Sequence, residues 1–361
     1  MQVMVLGMHR SGTSVLGAIL ELLGLRWGRS EDGLPADEDN PRGYWERQDI
    51  VALNDFLLES CEARWDKVSR FSLERLNEKD REVFRQRAET ILKQFQTSPA
   101  YFIKDPRLCL TWPEWLPLLS KPVGVLVYRD PLQVAQSLAK RNGMPLPVGL
   151  ALWQFYWLQM VSALSHMPCF LVYHDELMSK PVEVVHQLFH FFQNKGFSEL
   201  KLPEKEMILK LIDPSLFRHR ESNESQTRLL NSQQIHLRQD FEQRKSITDI
   251  SIPSLSECSC EWLKFYEETS GIRENLESQL CQLKEENSGA KKKLARVLRK
   301  NEAWLESLYE EADRLLDSLE YRLGSAMLLK RLRLKKRKKG HSIDQVMAKF
   351  QALKREFEKR D

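Results

Sequence analysis

The chain has few cysteines, and none sits in a metal-binding arrangement. Its six (Cys61, Cys109, Cys169, Cys258, Cys260 and Cys281) are scattered over 361 residues. Cys258-Ser259-Cys260 is too tight for a usual zinc half-site, and no second pair answers it. That pattern argues against a zinc module or a disulfide scaffold, and it suits a reduced, cytoplasmic chain. Long apolar runs are scarce as well. The most apolar later stretch, Val148 to Leu164, carries Gln154 and Gln159 and reads as a buried helix, too short and too polar for a membrane span. The opening Met1-Gln2-Val3 lacks a basic stretch, and its apolar run breaks at His9-Arg10, so no secretory leader is expected.

Charge of one sign is missing from most of the chain and concentrated at its end. The formal net charge is +4, but residues 324–361 hold 13 Lys or Arg against 4 Asp or Glu, a net of +9. The preceding residues therefore carry −5, a mildly acidic body with a strongly basic tail. Hydrophobic residues make up 42% of the whole, enough for a sizeable core.

What is present begins at once. Val3-Met4-Val5-Leu6 reads as a buried strand, and Val15, Leu16, Ile19, Leu20 and Leu23 follow at helical spacing. Between them lies Gly7-Met8-His9-Arg10-Ser11-Gly12-Thr13-Ser14. Glycines at both ends of such a turn let the backbone curl, so that several N–H groups converge at the positive end of a helix dipole. Ser11, Thr13 and Ser14 add hydroxyls, and Arg10 adds a full positive charge. Gly7 and Gly12 match the first part of a nucleotide-binding P-loop, but Thr13 stands where a triphosphatase needs Lys. The loop suits a single 5′-phosphate better than ATP hydrolysis.

This loop resembles the 5′-phosphosulfate-binding loop of sulfotransferases, whose donor is 3′-phosphoadenosine 5′-phosphosulfate (PAPS). The family loop usually reads Pro-Lys/Arg-Ser-Gly-Thr-Thr/Ser, so His9 departs from the common proline. A second signature follows in order. Val123-Gly124-Val125-Leu126-Val127-Tyr128 is a continuous apolar strand of the type found in parallel sheets. It ends at Arg129-Asp130-Pro131, and the helix from Leu132 carries Ser137. That arrangement resembles the family's 3′-phosphate site, where a guanidinium fork and a hydroxyl hold phosphate.

Two further segments carry candidate chemistry. Asn40-Pro41-Arg42-Gly43-Tyr44-Trp45-Glu46 resembles a segment lining the acceptor side of bacterial sulfotransferase-like proteins. Glu46 is the candidate general base, since a carboxylate desolvated by aromatic walls has a raised pKa. The alternative is that Glu46 caps the helix over Asp49 to Ser60 or pairs with Arg42 or Arg47. Tyr101-Phe102-Ile103 reads as a strand ending in Lys104-Asp105-Pro106-Arg107, and strand carboxyl ends are where open α/β sheets bind ligands. By resemblance, Lys104 neutralises the transferring sulfuryl oxygens and Arg107 faces the acceptor. Alternatively Lys104 pairs with Asp105.

The remaining stretches are read structurally. Residues 72–96 give a charged helix with a buried apolar stripe. Trp153, Phe155, Tyr156 and Trp157 crowd one helix and suit a core more than a binding platform. Cys169 to Tyr173 is another strand, and His174, at the step into a helix from Val182 to Phe192, reads as a structural polar cap, the alternative being a catalytic histidine. By resemblance, Asp213 to Arg220 with the polar segment Glu221 to Ser246 is a candidate closing loop over the nucleotide's 3′-phosphate, the alternatives being a solvated segment or a gate for an acidic acceptor. From Asn275, apolar residues recur at alternating four- and three-residue spacing with Asn287 and Asn301 at a-type positions. That heptad pattern points to a two-stranded coiled coil, the alternative being a long helix folded back on the body.

Together these readings predict a three-layer α/β/α, P-loop-like fold with a mainly parallel sheet over residues 1–270. A helical coiled coil (271–323) and a basic tail (324–361) follow. The resemblance implies sulfuryl transfer from PAPS, with no metal, to a hydroxyl or amine of a carbohydrate or lipid-linked acceptor. Arg10, Lys104 and Glu46 are the catalytic candidates. Arg10, Ser11, Gly12, Thr13, Ser14, Arg129 and Ser137 are the donor-binding ones. Partner expectations are a homodimer through the coiled coil and an anionic membrane surface against the tail, placing the protein in the cytoplasm or peripherally at the inner membrane face. A P-loop kinase or NTPase, or a coiled-coil scaffold with a vestigial nucleotide site, are the competing readings.

Overall fold

The computed structural model describes residues 1–37, 40, 42–164, 167–212, 228–244, 247–250, 254–286, 299, 300, 303, 304 and 307. Four strands form one sheet: β1 (Gln2–Leu6), β2 (Tyr101–Lys104), β3 (Pro122–Tyr128) and β4 (Cys169–Tyr173). Their order is β2-β1-β3-β4, and every pairing is parallel, with Val5 opposite Lys104 on one side and Val125 on the other. A parallel sheet needs cover on both faces, which is why the strands read as unbroken apolar runs.

The strand period of two sorts the core into two layers. Met4, Leu6, Ile103, Leu126 and Tyr128 face one way, Val3, Val5, Phe102, Val125 and Val127 the other. The second set packs with α1 (Thr13–Leu22) and α8 (Pro181–Asn194) through Leu16, Ile19, Leu20, Val185, Leu188 and Phe192. The first packs with α2 (Gln48–Ser60), α4 (Leu108–Trp115) and α6 (Leu146–Leu164). The chain is therefore an α/β protein with a central parallel sheet flanked by helices. Trp153, Tyr156 and Trp157 of α6 are fully buried in that core, as the aromatic crowding suggests. Each such side chain contributes about 1.5–3 kcal/mol or more by leaving water.

Three differences from the sequence reading concern boundaries. The charged helix expected over 72–96 is α3 (Glu78–Lys93), because the Asn77 side chain caps it by accepting from Asp80 N at 2.9 Å. Residues 73–75 form a separate 3-10 turn capped by Ser72. The step after β4 is two helices, α7 (His174–Ser179) and α8, broken at Lys180 before Pro181.

Beyond α9 (Lys205–Leu211) and α10 (Ser232–Glu242), α11 (Glu257–Glu286) packs against α6. It begins before residue 271 and continues into the stretch where the heptad spacing starts at Asn275. Ser259 Oγ donates to the buried Gln154 Oε1 at 2.7 Å, so this polar residue of α6 is satisfied by the later helix. Leu276, Leu280 and Leu283 of the heptad pattern fall within α11. Most of the remaining coiled-coil positions, residues 213–227 of the expected closing loop, and the basic tail lie outside the described residues. No helix of the described residues is long and apolar enough to cross a membrane.

Candidate functional site

The site lies where β1, β2 and β3 end. β1 delivers its chain into the loop Gly7–Gly12, and α1 begins at Thr13. The turn is tight. Ser11 N donates to Met8 O at 3.1 Å, Arg10 holds φ at 67° and Gly12 at 93°. Left-handed backbone at an arginine is costly and concentrates at functional sites. At Gly12 a Cβ would also meet His174 Cδ2 at 2.5 Å, so only glycine fits. No side chain caps the N-terminus of α1. Ser11 is fully buried, yet its hydroxyl has no hydrogen-bond partner among the described residues. A buried orphan hydroxyl is expensive unless a ligand satisfies it.

β3 brings a second guanidinium to the same place. Arg129 follows the strand, and its Nη1 donates to Arg10 O at 2.7 Å, while its Nε donates to Gln133 Oε1 at 3.2 Å. Trp153 Nε1 donates to Arg129 O at 3.1 Å, so the buried tryptophan of α6 fixes the backbone from below. Next comes α5 (Pro131–Asn142), capped by Asp130 Oδ1, which accepts from Leu132 N at 2.9 Å. Its Ser137 accepts from Arg10 Nε at 2.9 Å. Burial, and then the charge of Arg10, push the Arg129 pKa down to about 10. Both groups remain cationic at neutral pH, and no carboxylate forms a salt bridge to Arg129 among the described residues. Two cations held against their mutual repulsion create a field that favours an anion.

β2 supplies the third element. Lys104, its last residue, is 2% exposed and spends its three protons on Ser14 Oγ (3.1 Å), Tyr44 O (2.9 Å) and Glu46 Oε1. Glu46 is turned inward by Trp45, which adopts φ 54° while its indole donates to Glu21 Oε2 at 2.6 Å. Burial raises the Glu46 pKa, and the Lys104 charge opposes that rise. Neither Arg42 nor Arg47 is the partner of Glu46. Arg47 pairs with Asp49 at 2.5 Å, and Arg42 donates to Leu211 O.

Asp105 does not pair with Lys104. It is fully buried and accepts from Asn54 Nδ2 (2.8 Å) and from Arg107 N and Nη1 (both 3.0 Å). Asn54 in turn accepts from Thr111 and Trp115. Arg107 also donates to Asp55 at 2.5 Å. Burial alone would lower the Arg107 pKa, but the Asp105 and Asp55 carboxylates more than offset it. Through these bonds Arg107 ties α2 to the end of β2.

All the predicted donor-site residues thus converge on one end of the sheet, with Lys104 and Glu46 joined to the loop through Ser14. Sequence reading passed over the surroundings of His9. Its ring lies against Trp65 at 4.4 Å and meets Tyr156 edge-on at 6.0 Å. The one visible signal was the departure of His9 from proline.

No family model matches the sequence, and no curated protein does. Among solved structures the chain is similar to a sulfotransferase domain from the curacin biosynthetic pathway, at 14% identity and a TM-score of 0.35, covering 73% of this chain and 96% of that one. It is similar also to a sulfotransferase domain from the Synechococcus PCC 7002 olefin synthase, at 15% identity and a TM-score of 0.33, covering 73% and 94%. Likeness this distant does not bear on function.

Proposed function

We propose that the chain transfers a sulfuryl group from PAPS to a hydroxyl-bearing acceptor. One observation carries this reading: Arg129, just past the end of β3, donates to the carbonyl of Arg10 in the loop after the adjacent β1, and Arg10 donates to Ser137 beside the uncapped start of α1. Two cations, one orphan Ser11 hydroxyl and a free helix N-terminus suit a ligand with two separate phosphates. When bound, PAPS would supply the sulfuryl group and leave as the 3′,5′-bisphosphate.

The chain's own residues then divide the work. Ser11, Thr13, the loop N–H groups and Arg10 hold the 5′-phosphate, where negative charge develops as the leaving group departs. Preorganised donors at such a point are worth about 10²–10³ in rate each. Arg129 and Ser137 hold the 3′-phosphate. Lys104 reaches the sulfuryl oxygens by exchanging one of its present partners, and Glu46 keeps that ammonium in place beside the acceptor.

A carbohydrate or lipid-linked acceptor, a membrane surface for the basic tail and pairing through the heptads remain parts of this proposal. A kinase-like reading is less well supported, because Thr13 replaces the P-loop lysine and the Asp105 carboxylate is already engaged by Arg107 and Asn54. The discriminating experiment supplies PAPS, and separately ATP, in chelator with a panel of free sugars and glycans. The proposal expects 3′,5′-bisphosphate to form from PAPS without magnesium while ATP stays intact. ATP consumption that depends on magnesium, with PAPS untouched, would establish the kinase-like reading.

A further inference from the structure

We propose that His9, through Nε2, takes the proton of the acceptor hydroxyl, so that the donor loop itself carries the general base. The inference rests on the sulfuryl-transfer reading and assigns a residue that reading leaves unused.

Geometry singles this atom out. His9 directly precedes Arg10, and Arg107, Lys104, Arg141 and Arg10 all lie near enough to act on its ring. Its Nε2 is buried and has no hydrogen-bond partner among the described residues. A buried imidazole nitrogen without a partner is costly unless a ligand hydroxyl completes it. The Glu46 carboxylate differs, since Oε1 already accepts from Lys104.

The ring is also firmly placed. Trp65 covers its face, and Tyr156 OH fixes that wall by donating to Trp65 O at 2.7 Å. From α11, Glu267 accepts from Ser69 N at 2.6 Å and Glu274 accepts from Lys67 at 2.7 Å, pinning the segment that carries Trp65. An acceptor hydroxyl meeting Nε2 would therefore meet a ring of fixed orientation.

The charged groups around His9 are Arg107, Lys104, Arg141 and Arg10. Of the nearby carboxylates, Asp105 and Asp55 engage Arg107 and Glu46 engages Lys104, while Asp66, next to Trp65, accepts from Tyr266 through Oδ2 and keeps a buried Oδ1 without a partner among the described residues. Burial first, then these cations, hold the imidazole well below its usual pKa, so it is neutral and able to accept a proton. A bound phosphosulfate would offset the charges of Arg10 and Lys104 and raise the basicity of His9 when the donor is in place. In the step itself, the acceptor oxygen forms the new O–S bond. The S–O bond to the 5′-phosphate breaks, its electron pair staying on the phosphate oxygen. The acceptor proton passes to His9 Nε2 and from there to water.

The test uses the full chain, 3′-phosphoadenosine 5′-phosphate for binding, and PAPS with water as the acceptor for turnover. In proton NMR, the Cε1–H resonance absent from His9→Gln should titrate at a higher pH with the bisphosphate than without it. His9→Gln should bind the bisphosphate within about twofold of the parent yet turn over PAPS about a hundredfold or more slowly. The acid limb of the rate profile should vanish in His9→Gln and persist in Glu46→Gln. An unmoved resonance, unchanged turnover in His9→Gln, or loss of the limb in Glu46→Gln would each overturn the assignment while leaving sulfuryl transfer intact. If the parent fails to bind the bisphosphate, the transfer reading falls and takes this assignment with it.

Discussion

Replacing Lys104 by methionine is expected to destabilise the fold by about 3–5 kcal/mol at neutral pH, the usual cost of stranding one member of a buried ion pair. The parent holds Glu46 beside an ammonium that is almost wholly out of water. Without that ammonium, burial alone governs the carboxyl and raises its folded pKa further. The sign of the pH dependence follows. A raised folded pKa means that the native state binds a proton the unfolded chain releases, so stability falls as pH rises through that window. The deficit of Lys104→Met relative to the parent should thus be largest at neutral pH and narrow as pH falls toward about 4.3, the ordinary glutamate value. Urea unfolding at two pH values measures it. The double variant Lys104→Met with Glu46→Leu should recover more than half of the loss, because a buried pair replaced by apolar groups of similar volume is often nearly neutral. A deficit that does not depend on pH would mean that Glu46 is not the group left stranded.

Arg129→Ala is expected to weaken binding of 3′-phosphoadenosine 5′-phosphate about a hundredfold, or roughly 2.7 kcal/mol. It should change AMP binding less, since AMP has no 3′-phosphate for Arg129 to hold. The fold should survive, because the guanidinium forms no salt bridge among the described residues and its removal relieves repulsion from Arg10. Some loss of AMP affinity is expected too, through the Arg129 Nη1 bond that steadies the left-handed Arg10 carbonyl. Equal losses for both nucleotides would assign Arg129 to the loop alone. Unchanged affinity for both would remove it from the site.

The strand–turn–helix unit from β1 to α1 was legible because everything it needs is local. A strand, two glycines, hydroxyls and a helix start lie within fourteen residues, and the strand and helix periods announce where each begins. The junction of β3 and α5 was legible for the same reason, with Arg129 just past the strand and Ser137 on the helix. Contacts between distant segments were not. Arg10 and Ser137 are 127 positions apart and Lys104 and Glu46 are 58 apart. Only the sheet order brings β2, β1 and β3 side by side and aligns their ends. The carboxylate partners of Arg107 were not legible either, since Asp55 comes from α2 and Asp105 from the turn after β2. His9 looked like a mere substitution for proline, since nothing near it in sequence announces Trp65. Charge alone also left open what Glu46 would meet. The answer depended on the left-handed turn at Trp45, a conformation that tryptophan does not advertise.

The central claim is that this end of the sheet binds a nucleotide by two separate phosphates. Calorimetric titration of the full chain with 3′-phosphoadenosine 5′-phosphate, beside AMP and ATP and in the presence of chelator, tests it most directly. The account predicts a preference for the bisphosphate of about tenfold or more over both, roughly 1.4 kcal/mol. Tighter binding of ATP, or no binding of any of the three, would contradict it.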